Sequence, residues 1–219
     1  MNILVTGGNG EIGKAIVDEF IYQGHQVFSP SSKELDLNSI SSIESYFKKD
    51  NKINIFVHCA GINNPVPFLD LDDHSLEKTL NINSLSCIKI TKFLLPSMIE
   101  NQFGRIINIS SLWSILSSPK RTAYSVSKAA LDAFTRNLAV EFGSSNILVN
   151  SILPGFVDTK LTRKNLSDKR IAEIIEDTPI HRLIDMTDIA KTAYFLGSDK
   201  NYSITGQSIV VDGGYSIYR

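Results

Sequence analysis

Apolar residues in this chain gather in short runs, separated by longer stretches in which they recur every three or four positions. The runs fall at Ile3–Val5, Gln26–Ser29, Ile53–Val57, Arg105–Ile109, Ile147–Ile152 and Ser208–Val211. Segments this short and rich in Ile and Val predict strands, several of them covered on both faces. Lys33–Leu37 adds one more short strand, with little or no helix before it. Helical spacing predicts helices over Ile12–Gln23, Ile40–Lys49, Leu76–Ile99, Ala123–Phe142 and Thr187–Gly197. Strand and helix alternate throughout, so the expected class is α/β: one doubly wound parallel sheet of about seven strands with helices on both faces. No repeat, low-complexity tract or Pro/Gly-rich linker marks a boundary, and residues 1–219 read as a single domain. The least regular stretch, 155–181, is polar and follows Pro154, which makes it the candidate substrate lid.

Composition narrows the function. The chain has 219 residues, 42% of them hydrophobic, enough for one compact core. Lys and Arg number 22 against 23 Asp and Glu, so no global charge attracts nucleic acid or an anionic membrane. The N-terminal residues pass straight into an apolar run without a basic leader, and no apolar stretch approaches bilayer length, so the expectation is a cytoplasmic protein. Cys59 and Cys87 have neither the spacing nor the neighbours of a metal site or disulfide, and both read as buried thiols.

Thr6-Gly7-Gly8-Asn9-Gly10-Glu11-Ile12-Gly13 follows the first strand and opens the first helix. At such a junction free N–H groups and the helix dipole can receive a pyrophosphate, and glycines let the backbone approach it. Dinucleotide binding is the reading, with Gly7, Asn9, Gly10, Glu11, Ile12 and Gly13 as contacts. An acidic residue near the end of the second strand would hold the 2′-hydroxyl of NAD. Here that corner reads Ser29-Pro30-Ser31-Ser32-Lys33, with no carboxylate before Glu34. Its hydroxyls and ammonium favour a 2′-phosphate, so NADP(H) is expected with NAD(H) as the other candidate, and Ser29 and Ser31 join the cofactor set.

Tyr124 and Lys128 are four apart at the start of a predicted helix, hence on one face. Such a pair recurs by chance in a chain of this length. It gains weight from Ser111, which follows the strand Arg105–Ile109 and can point into the same cleft. Carbonyl reduction puts negative charge on oxygen, which a hydroxyl donor and a proton donor stabilise. Tyrosine can supply that proton if a neighbouring cation, here Lys128, favours its phenolate.

These residues, taken in order, resemble the short-chain dehydrogenase/reductase family from Val5-Thr6-Gly7 to Val211-Asp212-Gly213-Gly214. The resemblance includes Ala60-Gly61, Asn83 in Asn81-Ile82-Asn83, Ser110-Ser111, Tyr124-x-x-x-Lys128 and Pro154-Gly155 with Thr159. Ile204-Thr205-Gly206-Gln207 leading into Val211 is most similar to the 3-oxoacyl-[acyl-carrier-protein] reductase branch. The resemblance implies a Rossmann-type fold and a small-molecule carbonyl or alcohol substrate. It also implies a homodimer or homotetramer paired through the long helices. Tyr124 would be the general acid/base, Ser111 the orienter of the substrate oxygen, Lys128 the tuner of Tyr124 and ribose ligand, and Asn83 the support of a water-linked proton relay. Asp36 and Leu37 would contact adenine, Cys59, Ala60 and Gly61 the dinucleotide, and Pro154, Gly155, Val157 and Thr159 the nicotinamide. Three departures stand out. Glu11 occupies the usual middle glycine position, His58-Cys59 replaces an Asn-Asn pair with His58 as a structural substitute, and the Ser29–Asp36 corner is short. The alternatives are a sugar or sugar-nucleotide dehydrogenase of the same family and a dinucleotide-binding regulator without turnover.

Overall fold

A computed structural model describes residues 1–48 and 52–218. Six strands form one parallel sheet in the order β2-β1-β3-β4-β5-β6. They are β1 (Asn2–Thr6), β2 (Gln26–Phe28), β3 (Ile55–His58), β4 (Gly104–Ile109), β5 (Ile147–Pro154) and β6 (Ser208–Val211). Side chains alternate between two cores, as the pleat requires. Leu4, Phe56, Ile106 and Val149 face one, while Ile3, Val5, Ile55, Val57, Ile107 and Ile152 face the other. The first core is closed by α2 (Ile40–Phe47), α4 (Ser86–Glu100) and α5 (Thr122–Phe142), the second by α1 (Glu11–Tyr22) and α8 (Met186–Gly197). Between α2 and α4 lies α3 (Asp73–Leu80).

The strand count corrects the sequence reading, which expected about seven. Lys33–Leu37 is not a strand: the N–H groups of Glu34 and Leu35 both donate to Ser31 O, at 3.0 and 2.9 Å, closing a tight turn. Leu35 is buried in the first core from this turn rather than from a pleated edge, so β2 is the outer strand. The long helix expected over Leu76–Ile99 also differs. A π-helical turn at Asn81–Leu85 joins α3 to α4. The predicted end of the second helix at Lys49 lies outside the described residues.

Segment 155–181 is more ordered than its composition implied. It forms α6 (Lys160–Asn165) and α7 (Asp168–Glu176), capped by the Thr159 and Ser167 side chains. Ile171 and Ile174 of α7 join Leu112, Leu183 and Tyr215 in a third apolar cluster above the sheet. No helix among the described residues is long and apolar enough to cross a membrane.

The order of the strands fixes where a cleft must open. The chain leaves β1 toward β2 on one side and β3 toward β4 on the other, so the loops after β1 and β3 diverge and leave a crevice at the strand ends.

Candidate active site

That crevice holds a cavity of about 810 Å³, within the range of small-molecule sites. At its floor the turn after β1 is built around two glycines that nothing larger could replace. Gly7 has φ +72°, and a Cβ there would come 2.7 Å from the Ala60 backbone. A Cβ on Gly13 would collide with Gly7 O. Gly10 begins α1 without a side-chain cap, so the first N–H groups of that helix are open to a ligand. This close-packed turn under an uncapped helix suits a pyrophosphate, as the sequence implied.

Gly7, Asn9, Gly10, Glu11, Ile12, Gly13, Asp36, Leu37, Cys59, Ala60, Gly61, Ser111, Tyr124, Lys128, Pro154, Gly155, Val157 and Thr159 all line the cavity. Ser29 and Ser31 do not. The Ser29 hydroxyl is tucked against Gly8, and Ser31 donates both its N–H and its hydroxyl to Glu34 Oε2 at 2.8 Å. Pro30, Ser32 and Leu35 line that corner instead.

Glu11 raised the prospect of a carboxylate facing phosphates. Its Oε2 instead accepts the N–H of Lys160 at 2.8 Å, tying the start of α1 to the start of α6 across the mouth of the cleft.

At the other end, Ser111 sits just beyond β4 and accepts from Trp113 N at 3.2 Å, which fixes its hydroxyl over the cavity. Tyr124 and Lys128 enter from the first turns of α5. Lys128 Nζ donates to Ile109 O at 2.7 Å and lies 5.7 Å from the centre of the Tyr124 ring. Burial lowers the Lys128 ammonium to about 8. Tyr124 departs from expectation, because burial raises its phenol above the ordinary value. The opposing influences are the Ser111 hydroxyl first and the Arg121 guanidinium second, not Lys128. The same desolvation weakens the Lys128 ammonium.

Asn83 stands behind this group, fully buried, at the π-helical turn. Its Oδ1 accepts Ile62 N at 2.8 Å, and its Nδ2 donates to Ile62 O at 3.0 Å and to Ser127 Oγ at 2.9 Å. Ser127 in turn donates to Tyr124 O at 2.7 Å. Both amide hydrogens are therefore engaged in holding the loop after β3 against α5. His58 completes the support. Its Nε2 meets Asn83 O at 3.2 Å and its Nδ1 meets Thr6 Oγ1 at 3.0 Å. A carbonyl can only accept, so Nε2 carries the hydrogen and Thr6 donates to Nδ1. Burial first, then Lys128, depresses the imidazole to about 3, which makes His58 a neutral strut as the sequence proposed. Burial also raises the Cys59 and Cys87 thiols, to about 11 and about 12.

Comparison with known proteins bears on what such a cleft does. A family model described as enoyl-(acyl carrier protein) reductase matches residues 33–216. The chain is 34% identical over 215 residues to the 3-oxoacyl-[acyl-carrier-protein] reductase FabG of Chlamydia trachomatis, covering 97% of this chain and 86% of that protein. It belongs to the short-chain dehydrogenase/reductase family. Among solved structures, a short-chain dehydrogenase family protein from Francisella tularensis superposes with a TM-score of 0.88 at 29% identity, covering 98% of each chain. A 4-hydroxyisoleucine dehydrogenase complexed with NADH superposes with a TM-score of 0.93 at 28% identity, covering 99% of this chain and 98% of that one. Short-chain dehydrogenases of this branch are nicotinamide-dependent oxidoreductases, and the chain is one of them.

Sequence reasoning missed several residues of the short-chain dehydrogenase cleft, among them Thr6, Ile62, Asn63 and Arg121. Thr6 and Ile62 lie inside segments that read as strand and turn. Arg121, a single basic residue before a helix, carries no periodic signal.

Proposed function

We propose that this chain moves hydride between NAD(H) and the carbonyl or alcohol carbon of a small molecule, with Tyr124 as general acid/base. The observation that carries this is the shared cavity: Tyr124, Ser111 and Lys128 line the same crevice as the Gly7–Gly13 turn. When bound, the nicotinamide dinucleotide gives or takes the hydride. The protein supplies position and the proton. The opening of α1 receives the pyrophosphate, and Lys128 is the ribose ligand. The Ser111 hydroxyl donates to the substrate oxygen. Tyr124, kept as the neutral phenol by burial, gives its proton to that oxygen as the carbon is reduced and recovers it in the reverse direction. Asn83 and Ser127 act as positioning residues that hold the loop after β3 and the first turn of α5. Segment 155–181, tied down through Glu11, is the lid over the substrate end.

The 2′-corner supports NAD(H) over the NADP(H) that the sequence favoured. Among its cavity-lining residues, Pro30, Ser32, Leu35, Asp36 and Leu37, the one charged side chain is a carboxylate, and Lys33 does not line the cavity. A kcat/KM for NADPH well above that for NADH would overturn this choice. Tyr124→Phe tests the acid/base role. It should lower turnover by ~10²–10⁴-fold while leaving dinucleotide affinity within about threefold, and full activity in that variant would refute the assignment.

We also infer a homo-oligomer, because Phe93 on α4 and Val126 and Val140 on α5 leave apolar surface exposed on the long helices. Light scattering tests it. A cytoplasmic setting fits two unpaired thiols held protonated by burial.

A further inference from the structure

The substrate end of the cleft holds a charge that the reaction above does not use. Arg121 lines the cavity, and its Nη1 donates to Asn63 Oδ1 at 2.6 Å. Asn63 is neutral, so it orients the guanidinium without cancelling its charge. No carboxylate among the described residues forms an ion pair with Arg121. The ion pairs present engage Lys14, Arg163, Arg170 and Arg182 instead.

A second observation points the same way. Arg121 is the N-cap of α5, the 21-residue helix that carries Tyr124, and this helix has neither a side-chain cap nor an acidic residue in its first turn. By contrast α2, α3, α6, α7 and α8 are capped by Ser39, Asp72, Thr159, Ser167 and Asp185. The positive end of the longest helix and an unpaired guanidinium therefore add at one place. The other charged residues of the cavity are Glu11, Asp36, Lys128 and Lys160. Glu11 and Asp36 lie at the dinucleotide end, Lys128 is bound to Ile109 O, and Lys160 begins the lid helix α6. Around Arg121 and Tyr124 the wall is apolar, with Ile62, Trp113, Phe156 and Leu166. Trp113 and Phe156 meet edge to face at 6.2 Å.

We propose that Arg121 is the anion-recognition residue of the substrate pocket, and that the substrate is a short-chain oxo or hydroxy acid. Its carboxylate pairs with the guanidinium while its reacting oxygen lies on Tyr124 and Ser111. A carboxylate fits better than a phosphate, since one planar guanidinium matches two carboxylate oxygens. The apolar wall takes the carbon chain. This inference rests on the oxidoreductase reading above, and its test separates the two.

The probes are a series of oxopentanoates differing in the position of the keto carbon, each with its methyl ester, and a phosphate monoester of a hydroxyketone. Wild-type protein with NADH should favour at least one acid over its ester by ~10- to 100-fold in kcat/KM, the range expected of a charged hydrogen bond. Arg121→Gln should abolish that preference mainly through KM, bringing each acid down to the level of its own ester in the same variant, and Arg121→Lys should restore part of it. Trp113 is the sole tryptophan and lines the pocket, so its fluorescence reports binding without turnover. Acids should change it saturably, esters should not, and the response should vanish in Arg121→Gln. Equal handling of acids and esters, a preference for the phosphate monoester, or an acid preference that survives in Arg121→Gln overturns the proposal. Absence of turnover with every probe counts against the oxidoreductase reading alone, and the fluorescence titration then decides the anion site.

Discussion

His58 gives this protein a measurable sensitivity to acid. The imidazole is fully buried, donates from Nε2 to Asn83 O and accepts at Nδ1 from Thr6, so a second ring proton has no acceptor until the Thr6 hydroxyl turns around. Its pKa is about 3 in the folded chain against 6.5 for the free group. The unfolded chain therefore binds a proton that the folded one refuses. The stabilisation from keeping His58 neutral is complete above pH 6.5 and is lost as pH falls from there toward 3. With those two values, lowering the pH from 7 to 5 removes about 2 kcal/mol, and reaching pH 3 removes roughly 4 kcal/mol. Other groups titrate over the same range, so the comparison is between wild type and His58→Asn, unfolded in urea at pH 7 and pH 5. Asparagine leaves a void and costs stability at both values, but it does not titrate. The gap in unfolding free energy between the two proteins should shrink by about 2 kcal/mol at the lower pH, a relative midpoint change of ~0.7–1 M for a slope of ~2–3 kcal/mol/M. A gap independent of pH would show that the imidazole is solvated or already charged, and the account of the β1–β3 junction would fail.

Ser111→Ala removes the hydroxyl that most opposes the rise of Tyr124, so the alkaline limb assigned to the phenol in a pH–rate profile should move upward while kcat falls; an unmoved limb would separate Ser111 from Tyr124. Asn83→Ala leaves the Ile62 N–H and carbonyl without their partners, at about 1–3 kcal/mol for each group that stays dry. Differential scanning calorimetry should show a lowered Tm, and KM for substrate should rise as the loop after β3 loosens; unchanged values would mean that water replaces the amide.

Much of this was legible from residue order, because the signals were local. The glycine turn, the Tyr124–Lys128 spacing and Ser111 beyond a strand end each depend on neighbours a few positions away, and the sheet then brings them to one crevice. The misreadings have a common cause in side-chain contacts that no spacing announces. Lys33–Leu37 alternates like a strand, but Ser31 and Glu34 close a turn whose hydrogen bonds outweigh that pattern. The same pair engages the Ser31 hydroxyl, which does not line the cavity. Lys128 reads by spacing as the partner of Tyr124, but spacing does not reveal that burial weakens its own ammonium. Arg121 was invisible because an arginine beside a helix is ordinary until the cavity next to it is known, and with it the lack of an ion pair to its guanidinium among the described residues.

The helical path through Asn81–Leu85 carries a different kind of dependence. A π-helical turn accommodates one more residue than a regular helix would over the same rise. Loss of any single residue there would let α3 and α4 merge into a regular helix whose flanks keep their faces while the residues of the turn itself change theirs. Asn83 would then swing off Ile62 and Ser127 although its own codon was untouched. Residue count in this stretch is thus constrained as tightly as residue type: a substitution at half-exposed Leu85 should pass almost unnoticed, whereas a one-residue deletion beside it should silence the enzyme.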